Sequence, residues 1–505
     1  MIESTLKEPL LSFAKKTNQG SHMDHKATDL LYHRARTKTI ATVGPACNTP
    51  EMLAKLIEAS VDVFRINTAH GTREEHQHTL NNIREASKIS GRSVGTLVDL
   101  GGPKIRLGLL AVEPTECHEG DRFTFIRGDV SDKREELTSI YPKLIDELEV
   151  GQPVLLADGT VSMVVVEKYD DHVVCEVDGG GQIRTRQGIN LPQTTLSVPA
   201  LTDRDAQNAD WAAQNEVDFI SLSFVRSSED ITGLRKIIDR HNSHAFAIAK
   251  IEKQEAVDHL QEIVMVSDGI MIARGDMGVE TDVAQMPVLQ KKIIDLCGQL
   301  GKPVIVATQM LDSMQRTKRP TRAEVTDVAN AILDGADACM LSGETAIGKY
   351  PLEAVQMMNR IMHSTEQTLR DKSLPPLPQL RSQHVAPITS AMLQGAATVA
   401  KRIHAKMVVV ASHSGATALS KAKQRDFIPT LGLSNDPKTL RQMGLFWGII
   451  PLIDIPLNDQ VALRQHIQDW GKANECLHPG DTFVFVAGSN VITGMENEMF
   501  VHTVS

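Results

Sequence analysis

Short apolar runs recur along the first two thirds of the chain, each a continuous block rather than an alternation of apolar and polar residues. They are TIATVG (39–44), VDVFRIN (61–67), VGTLVDL (94–100), VDFISLSF (217–224), FAIAKIE (246–252), DGIMIARGD (268–276), PVIVATQ (303–309) and DACMLSG (337–343). Runs of this kind predict strands buried on both faces, the condition of a parallel sheet. Between them, apolar residues recur at three-to-four spacing. In VAQMPVLQKKIIDLCGQLG, Val283, Met286, Leu289, Ile293, Cys297 and Leu300 mark a helical face, and Gly301 and Pro303 stop it. In TRAEVTDVANAILDG, Val325, Val328, Ile332 and Leu333 do the same, with Gly335 placed to end the helix. Eight strands alternating with helices predict an α/β fold, a (β/α)₈ TIM barrel over 34–103 and 200–365. An open doubly wound sheet is the alternative.

One connection breaks the rhythm. More than 100 residues separate the third and fourth runs, far beyond an ordinary loop. RFTFI, PVLLA, VSMVVVEK and HVVCEVD read as strands, with turns at Asp158-Gly159 and Gly179-Gly180-Gly181. Residues 104–199 are therefore expected to form a small inserted β-barrel lid domain over the mouth of the larger barrel. SLPPLPQL (373–380) reads as a linker. Beyond it AKMVVVASH, IPTLGLS, GIIPLID and DTFVFVAGS predict a C-terminal α/β domain over 366–505. Residues 1–33 lack a pattern and read as a tail.

Composition narrows the classes. A chain of 505 residues exceeds one hydrophobic core, so two to four domains are expected. The net charge of −10 argues against a nucleic-acid binder, though a phosphate site needs only local donors and cations. Cys47, Cys117, Cys175, Cys297, Cys339 and Cys476 are scattered without a C-x-x-C pair, which reads as reduced thiols and a cytoplasmic location. No apolar run has the roughly 18 residues of a membrane span, and the N-terminus does not read as a secretory signal.

Barrels of this kind work at the C-terminal ends of their strands, so the residues finishing each run are the candidates. The second run ends in Arg65 and Asn67, and the third in Asp99, with Lys104 and Arg106 close behind. Ser223 ends the fourth, Lys250 and Glu252 the fifth, Arg274 and Asp276 the sixth. Thr308 ends the seventh, Ser342 and Glu344 the eighth. Any one of these has an ordinary reading as a solvated loop residue; their convergence on one rim does not. Lys250, inside a strand, needs an anionic partner. Glu252 lies two residues on and shares its face. A second carboxylate at Asp276, with water and phosphate oxygens, makes a donor set that suits magnesium. The backbone around Arg274, Gly275 and Asp276 opens a helix and offers N–H groups to an anion. Cations around a metal-bridged anion point to phosphoryl transfer, whose transition state needs positive charge more than covalent help.

The segments FRINTAHG (64–71), VDLGGPKIRLG (98–108), TRQGINLP (185–192), KIEKQEAV (250–257), ARGDMGVE (273–280), VATQML (306–311), PTRAEVTDVANAILDGAD (320–337) and MLSGETAIGKYPLEA (340–354) resemble the pyruvate kinase family in order and spacing. The resemblance runs from about Thr37 to HTV (502–504). It implies transfer of phosphate from phosphoenolpyruvate to ADP, giving pyruvate and ATP. It implies that Lys250 stabilises the transferring group and that Glu252 and Asp276 hold magnesium, or manganese in its place. Arg65, Ala273, Gly275, Asp276, Thr308 and Ser342 would line the phosphoenolpyruvate site, with Thr308 aiding protonation of the enolate through water. Arg65, Asn67, His70 and Arg106 would contact phosphates or nucleotide. The inserted domain would close as a lid.

Five positions depart from the family pattern, three of them around the monovalent cation. Potassium-dependent members carry Ser, Thr and Glu where this chain has Ala69, Leu100 and Lys104. Asn67 and Asp99 match the cation ligands. The expectation is that the Lys104 ammonium replaces potassium, so that potassium is not required; the alternative is an exposed lid residue. Gln187 stands where a nucleotide-contacting Lys is common. Lys253 stands where many members have Asn, and its side chain is expected to point away from Lys250 with little effect. SHSGATA (412–418) resembles a turn that cradles an effector's phosphate, with Ser412, Ser414, Gly415 and Thr417 as donors, or it is only a turn. The resemblance also implies a homotetramer. Two other readings compete: a metal-dependent lyase or aldolase that needs no ADP, and a catalytically silent metabolite sensor.

Overall fold

The computed structural model describes residues 34–371, 386–453, 459–488 and 497–505. The expected tail at 1–33 and the linker SLPPLPQL lie outside them. Eight parallel strands close into a barrel: β1 (Lys38–Thr42), β2 (Val63–Asn67), β3 (Gly95–Leu100), β4 (Phe219–Leu222), β5 (Phe246–Ile251), β6 (Gly269–Ala273), β7 (Val304–Ala307) and β8 (Ala338–Leu341). Each strand pairs with its neighbours in chain order, and β8 returns to β1. Of the eight strands, seven lie within the apolar runs, and β1 starts one residue before its run, at Lys38. Their residues are buried except Arg65, Asn67 and Phe246, which are half-buried, as expected when helices cover the outer face.

The start of the strands carries a repeated device. Asp62, Asp218, Asp268 and Asp337 stand just before β2, β4, β6 and β8. Each accepts the backbone N–H of a residue at the start of an adjacent strand: Thr39, Thr96, Ala247 and Val304, respectively. A cation neutralises each of these acids. Arg441 meets Asp218 at 2.8 Å, and Lys423 and Arg425 meet Asp337 at 2.6 and 2.8 Å. Those three cations come from the C-terminal domain, so the pairs also fasten the two domains together. Between them Phe446 stacks on Phe246, which packs edge-on against Phe219. One apolar cluster runs from Ile40, Val63, Leu97 and Ile248 inside the barrel to Leu445, Phe446 and Trp447. The N-terminal end of the barrel is thereby plugged, leaving the C-terminal ends of the strands for chemistry.

The C-terminal sheet contains β9 (Met407–Ala411), β10 (Thr430–Leu433), β11 (Ile449–Leu452), β12 (Thr482–Ala487) and β13 (Glu498–Thr503), in the order β11-β10-β9-β12-β13. β13 is antiparallel to β12. Between β3 and β4 a six-stranded sheet and a two-stranded ribbon enclose a separate core that includes Phe125, Leu156, Met163, Val165 and Cys175. Here the strands alternate: in Val161–Lys168 and His172–Gly179 every second residue is buried along most of the length, as suits a sheet with one face inward. Ala157, Asp158 and Gly159 adopt positive φ at the tight turn before Val161.

The barrel's helices include α1 (Arg274–Glu280), α2 (Met286–Gln299), α3 (Arg322–Asp334) and α4 (Pro351–Asp371). α3 begins with a capping box of Thr321 and Glu324 and ends at Gly335, at φ 99°. Two residues assigned to helical core faces are not there. Val283 is 66% exposed because it lies in the turn before α2, which starts at Met286 with Pro287 in its first turn. Leu333 is 50% exposed, about 100° around α3 from the buried Ile332. No helix among the described residues is long and apolar enough to cross a membrane.

Candidate active site

The rim at the C-terminal ends of the strands is built around Lys250. Its Nζ lies 2.6 Å from Ser223 Oγ, 2.9 Å from Glu252 Oε1 and 3.4 Å from Asp99 Oδ1. Asp99, on β3, is buried. Its other oxygen is held by Arg65, whose Nη2 approaches to 2.6 Å and Nε to 2.8 Å, while Ser221 Oγ donates to Oδ1 at 2.7 Å. Arg65 also donates to Thr42 Oγ1 on β1 at 3.0 Å. The network thus spans β1 to β5 and fixes two cations beside one open mouth.

Burial works against the charge on Lys250, yet Asp99 and Glu252 outweigh it and hold the ammonium above its ordinary range. Burial also opposes the charge on Asp99, but Lys250 and Arg65 hold that carboxyl below the usual range. Glu252 is pushed the other way: burial raises its pKa, Asp276 adds to the rise, and Lys250 counters only part of it. Such a carboxylate gains from a further positive charge. Glu252 Oε2 accepts the Phe224 N–H at 2.7 Å, whereas Oε1 is buried with no aligned hydrogen-bond donor.

Asp276 sits in the first turn of α1, its Oδ1 3.6 Å from Lys104 Nζ. Lys104 also lies 3.9 Å from Asp158 of the inserted domain, so one ammonium joins lid and rim. Glu252, whose Oε1 is met only by the Lys250 ammonium, and the partly open Asp276 fit a divalent cation. Two carboxylates, with the remaining positions from substrate and water, suit magnesium rather than an all-protein cage. Among the described residues no cluster of three or more His, Cys, Asp and Glu side chains is arranged to hold a metal.

Across the mouth, Thr308 and Gln309 follow β7 with φ of 70° and 55°. A β-branched residue in the left-handed region is strained by about 1–3 kcal/mol. The surroundings enforce it. Thr308 Oγ1 accepts the Gly275 N–H at 2.7 Å, and its carbonyl accepts from Arg274 Nη2 at 3.0 Å. Arg274, expected on the rim, instead turns inward to pair with Asp327 of α3 at 2.6 Å. The helix start at Arg274 falls where the sequence placed it, but the Gly275 N–H is taken by Thr308. Ser342 Oγ is buried without a partner. Glu344 accepts from the Ser342 and Leu311 N–H groups, and burial raises its pKa.

A family description for the barrel domain of pyruvate kinase matches residues 34–355, and one for its alpha/beta domain matches 390–502. The pyruvate kinase of Geobacillus stearothermophilus is 39% identical over 476 residues, 94% of this chain and 81% of that one. That of Mycobacterium intracellulare is 39% identical over 475 residues, 93% of this chain and 98% of that one. A crystal structure of a pyruvate kinase from Cryptosporidium parvum superposes with a TM-score of 0.85 at 33% identity, covering 95% of this chain and 98% of that chain. This chain belongs to the pyruvate kinase family.

The other residues singled out by the family resemblance are distributed as follows. Asn67 Oδ1 accepts from the Ala69 N–H at 3.1 Å, and His70 is exposed on the same loop. Arg106 donates to the Arg186 carbonyl at 3.1 Å at the root of the lid. Gln187 folds back on its own turn, accepting from the Arg184 N–H at 2.5 Å. Leu100 is fully buried, and its carbonyl accepts from Ser223 Oγ. Ala273 is buried at the end of β6. In the C-terminal domain Ser412 and Thr417 are buried, Ser414 is exposed and Gly415 has φ 82°; the Thr417 N–H donates to Ser412 Oγ at 3.3 Å. Sequence reasoning missed three participants. Ser221 on β4 left no signal beyond its alternation with Ser223. Glu280 is another: Lys253 turns away from Lys250, as expected, into a buried ion pair with it at 3.0 Å. Asn190 of the lid completes that pair.

Proposed function

We infer that this chain transfers the phosphoryl group of phosphoenolpyruvate to ADP, giving pyruvate and ATP, with Lys250 at the centre of the transfer. The observation that carries the residue assignment is the Lys250 ammonium, held above its ordinary pKa between Asp99 and Glu252 at the open end of the barrel. It stays charged at any working pH and faces the space beside Asp276.

In the proposed mechanism Arg65 and Lys250 take the phosphate of phosphoenolpyruvate, their spacing fixed by Asp99. As the group moves to the ADP oxygen, charge on its equatorial oxygens is met by both cations without reorganisation. Glu252 and Asp276 would hold magnesium, or manganese, whose positive charge would offset the negative charge of the substrate oxygens. The Asp276 backbone N–H receives the substrate carboxylate, in a space lined by the Ala273 strand end, Gly275 and Thr308, which holds the Gly275 N–H. Phosphoryl loss leaves the enolate of pyruvate, and Thr308, with Ser342 beside the pocket, passes a proton to its methylene carbon through water. Asn67, His70 and Arg106 face the nucleotide. Lys104 supplies a fixed positive charge where other family members use potassium; its 3.6 Å approach to Asp276 supports this. The loop of Ser412, Ser414, Gly415 and Thr417 takes the phosphate of an effector, and the working assembly is a homotetramer.

The test is a steady-state assay of pyruvate and ATP formation from phosphoenolpyruvate and ADP, with and without magnesium, in sodium and in potassium. The expected result is ADP- and magnesium-dependent turnover that is nearly equal in the two salts. Loss of phosphoenolpyruvate without ADP would support a lyase instead. Large, saturable activation by potassium would remove the role given to Lys104.

A further inference from the structure

The seam between barrel and lid holds a buried charge pair that the transfer chemistry does not use. Lys253 directly follows Glu252 and projects to the opposite side of the chain. Its Nζ lies 3.0 Å from Glu280 Oε2, with the two side chains 6% and 3% exposed. The other oxygen of Glu280 accepts a 2.9 Å hydrogen bond from Asn190 Nδ2. Asn190 belongs to the last strand of the lid, Ile189–Asn190, and is itself buried. Ile105 and Leu191, where the chain crosses between barrel and lid, line the same small cavity as Lys253 and Glu280.

The placement of the pair matters more than its energy. Glu280 is the last residue of α1, and Asp276 lies in the first turn of that helix. Four residues in a helix span about 6 Å, one turn, so the two ends move together. Lys253 in turn continues the segment that carries Lys250 and Glu252. The Lys253–Glu280 pair therefore sets the separation of Glu252 from Asp276. The lid grips α1 at both ends, through Lys104 at Asp276 and Asn190 at Glu280. A buried pair adds little net stability against an apolar replacement but tolerates no loss of one partner, which suits fixing a geometry.

We propose that Lys253 and Glu280 are positioning residues which, through Asn190, couple the position of the lid to the spacing of the metal-holding carboxylates Glu252 and Asp276. The proposal rests on the assignment of those carboxylates to the metal. Coupling of this kind is reciprocal: a lid position that tightens the metal site is itself favoured by the metal, by the same factor.

The test uses the full chain and two readouts other than turnover. One is the affinity for Mn²⁺, measured by electron paramagnetic resonance without substrates. The other is the lid-to-barrel distance distribution between spin labels on cysteines introduced at the exposed Glu135 and Lys236. The six native cysteines are buried, so labelling is selective. Asn190→Ala leaves the ion pair intact, and the double variant Lys253→Asn/Glu280→Gln removes both charges together. In Asn190→Ala the distance distribution broadens and the Mn²⁺ dissociation constant rises about fivefold or more. The double variant behaves likewise, and if it does not fold, Asn190→Ala alone decides. If Asn190→Ala matches wild type in either readout, the coupling is overturned. Glu252→Gln tests the underlying assignment separately: if it binds Mn²⁺ as wild type does, the metal site is wrong and the proposal falls with it.

Discussion

Replacing Lys104 by Met removes one charge and keeps the aliphatic stem that lies against the lid. The Lys104 ammonium is 3.6 Å from Asp276 Oδ1, with side-chain exposures of 34% and 26%. At that separation Coulomb attraction is about 4–5 kcal/mol at an effective dielectric of about 20, and about 1 kcal/mol in bulk water. A pair this exposed is screened towards the lower figure, so the net contribution is about 1–2 kcal/mol. Placed on a transition state that carries more negative charge than the ground state, it corresponds to about a 5- to 30-fold loss in kcat/KM for phosphoenolpyruvate. The pair spans lid and rim but packs little apolar surface, so the thermal midpoint should move by no more than a few degrees. The assay is steady-state kinetics in sodium buffer with saturating magnesium, wild type beside Lys104→Met, with a thermal melt of each. A change below twofold in kcat/KM would refute the reasoning. So would wild-type enzyme that is nearly inactive until potassium is added.

Three further expectations follow from the geometry. Thr308→Val keeps the branched side chain but leaves the Gly275 N–H without its acceptor; exchange of the methyl protons of pyruvate with solvent, followed by NMR, should fall about 100-fold, with Thr308→Ser close to wild type. Equal exchange in all three would remove Thr308 from proton transfer. Burial raises the pKa of Glu344 above 4.5, so folding favours its protonated form and its contribution to stability falls as pH rises from 4.5 through the folded pKa. Urea unfolding at several pH values should show wild type losing ground to Glu344→Gln across that window; a pH-independent difference would contradict it. Burial pushes the Cys47, Cys117 and Cys476 thiols up to about 11 and those of Cys175, Cys297 and Cys339 to about 12. A thiol reagent at neutral pH should therefore find almost none in the native protein and six after unfolding in denaturant, whereas rapid native reaction would show a core that opens easily.

Much of the barrel was legible because its strands are covered on both faces. Burial on both sides writes itself as an unbroken apolar run, and the first polar residue after each run marks the rim. The cross-strand partners were not legible in the same way. Nothing near Lys250 in sequence points to Asp99, because β3 and β5 flank β4 and only the closed order of the barrel brings them together. Strand alternation correctly turned Lys253 away from Lys250, but it could not say that the returning lid strand and the end of α1 would bury it there. β13 was overlooked because its apolar run, Met499-Phe500-Val501, is only three residues long and is flanked by Glu498 and His502, as an edge strand with half its residues exposed allows. Val283 misled because three-to-four spacing continues past a helix start that Pro287 fixes.

The central claim is that the Lys250 ammonium, set between Asp99 and Glu252, carries the phosphoryl transfer. It is tested most directly by the rate of pyruvate and ATP formation in Lys250→Met, at saturating phosphoenolpyruvate, ADP and magnesium, with the fold checked by circular dichroism. The account predicts a folded protein whose kcat is lower by about 10²–10³ or more. A folded variant within tenfold of wild type would contradict it.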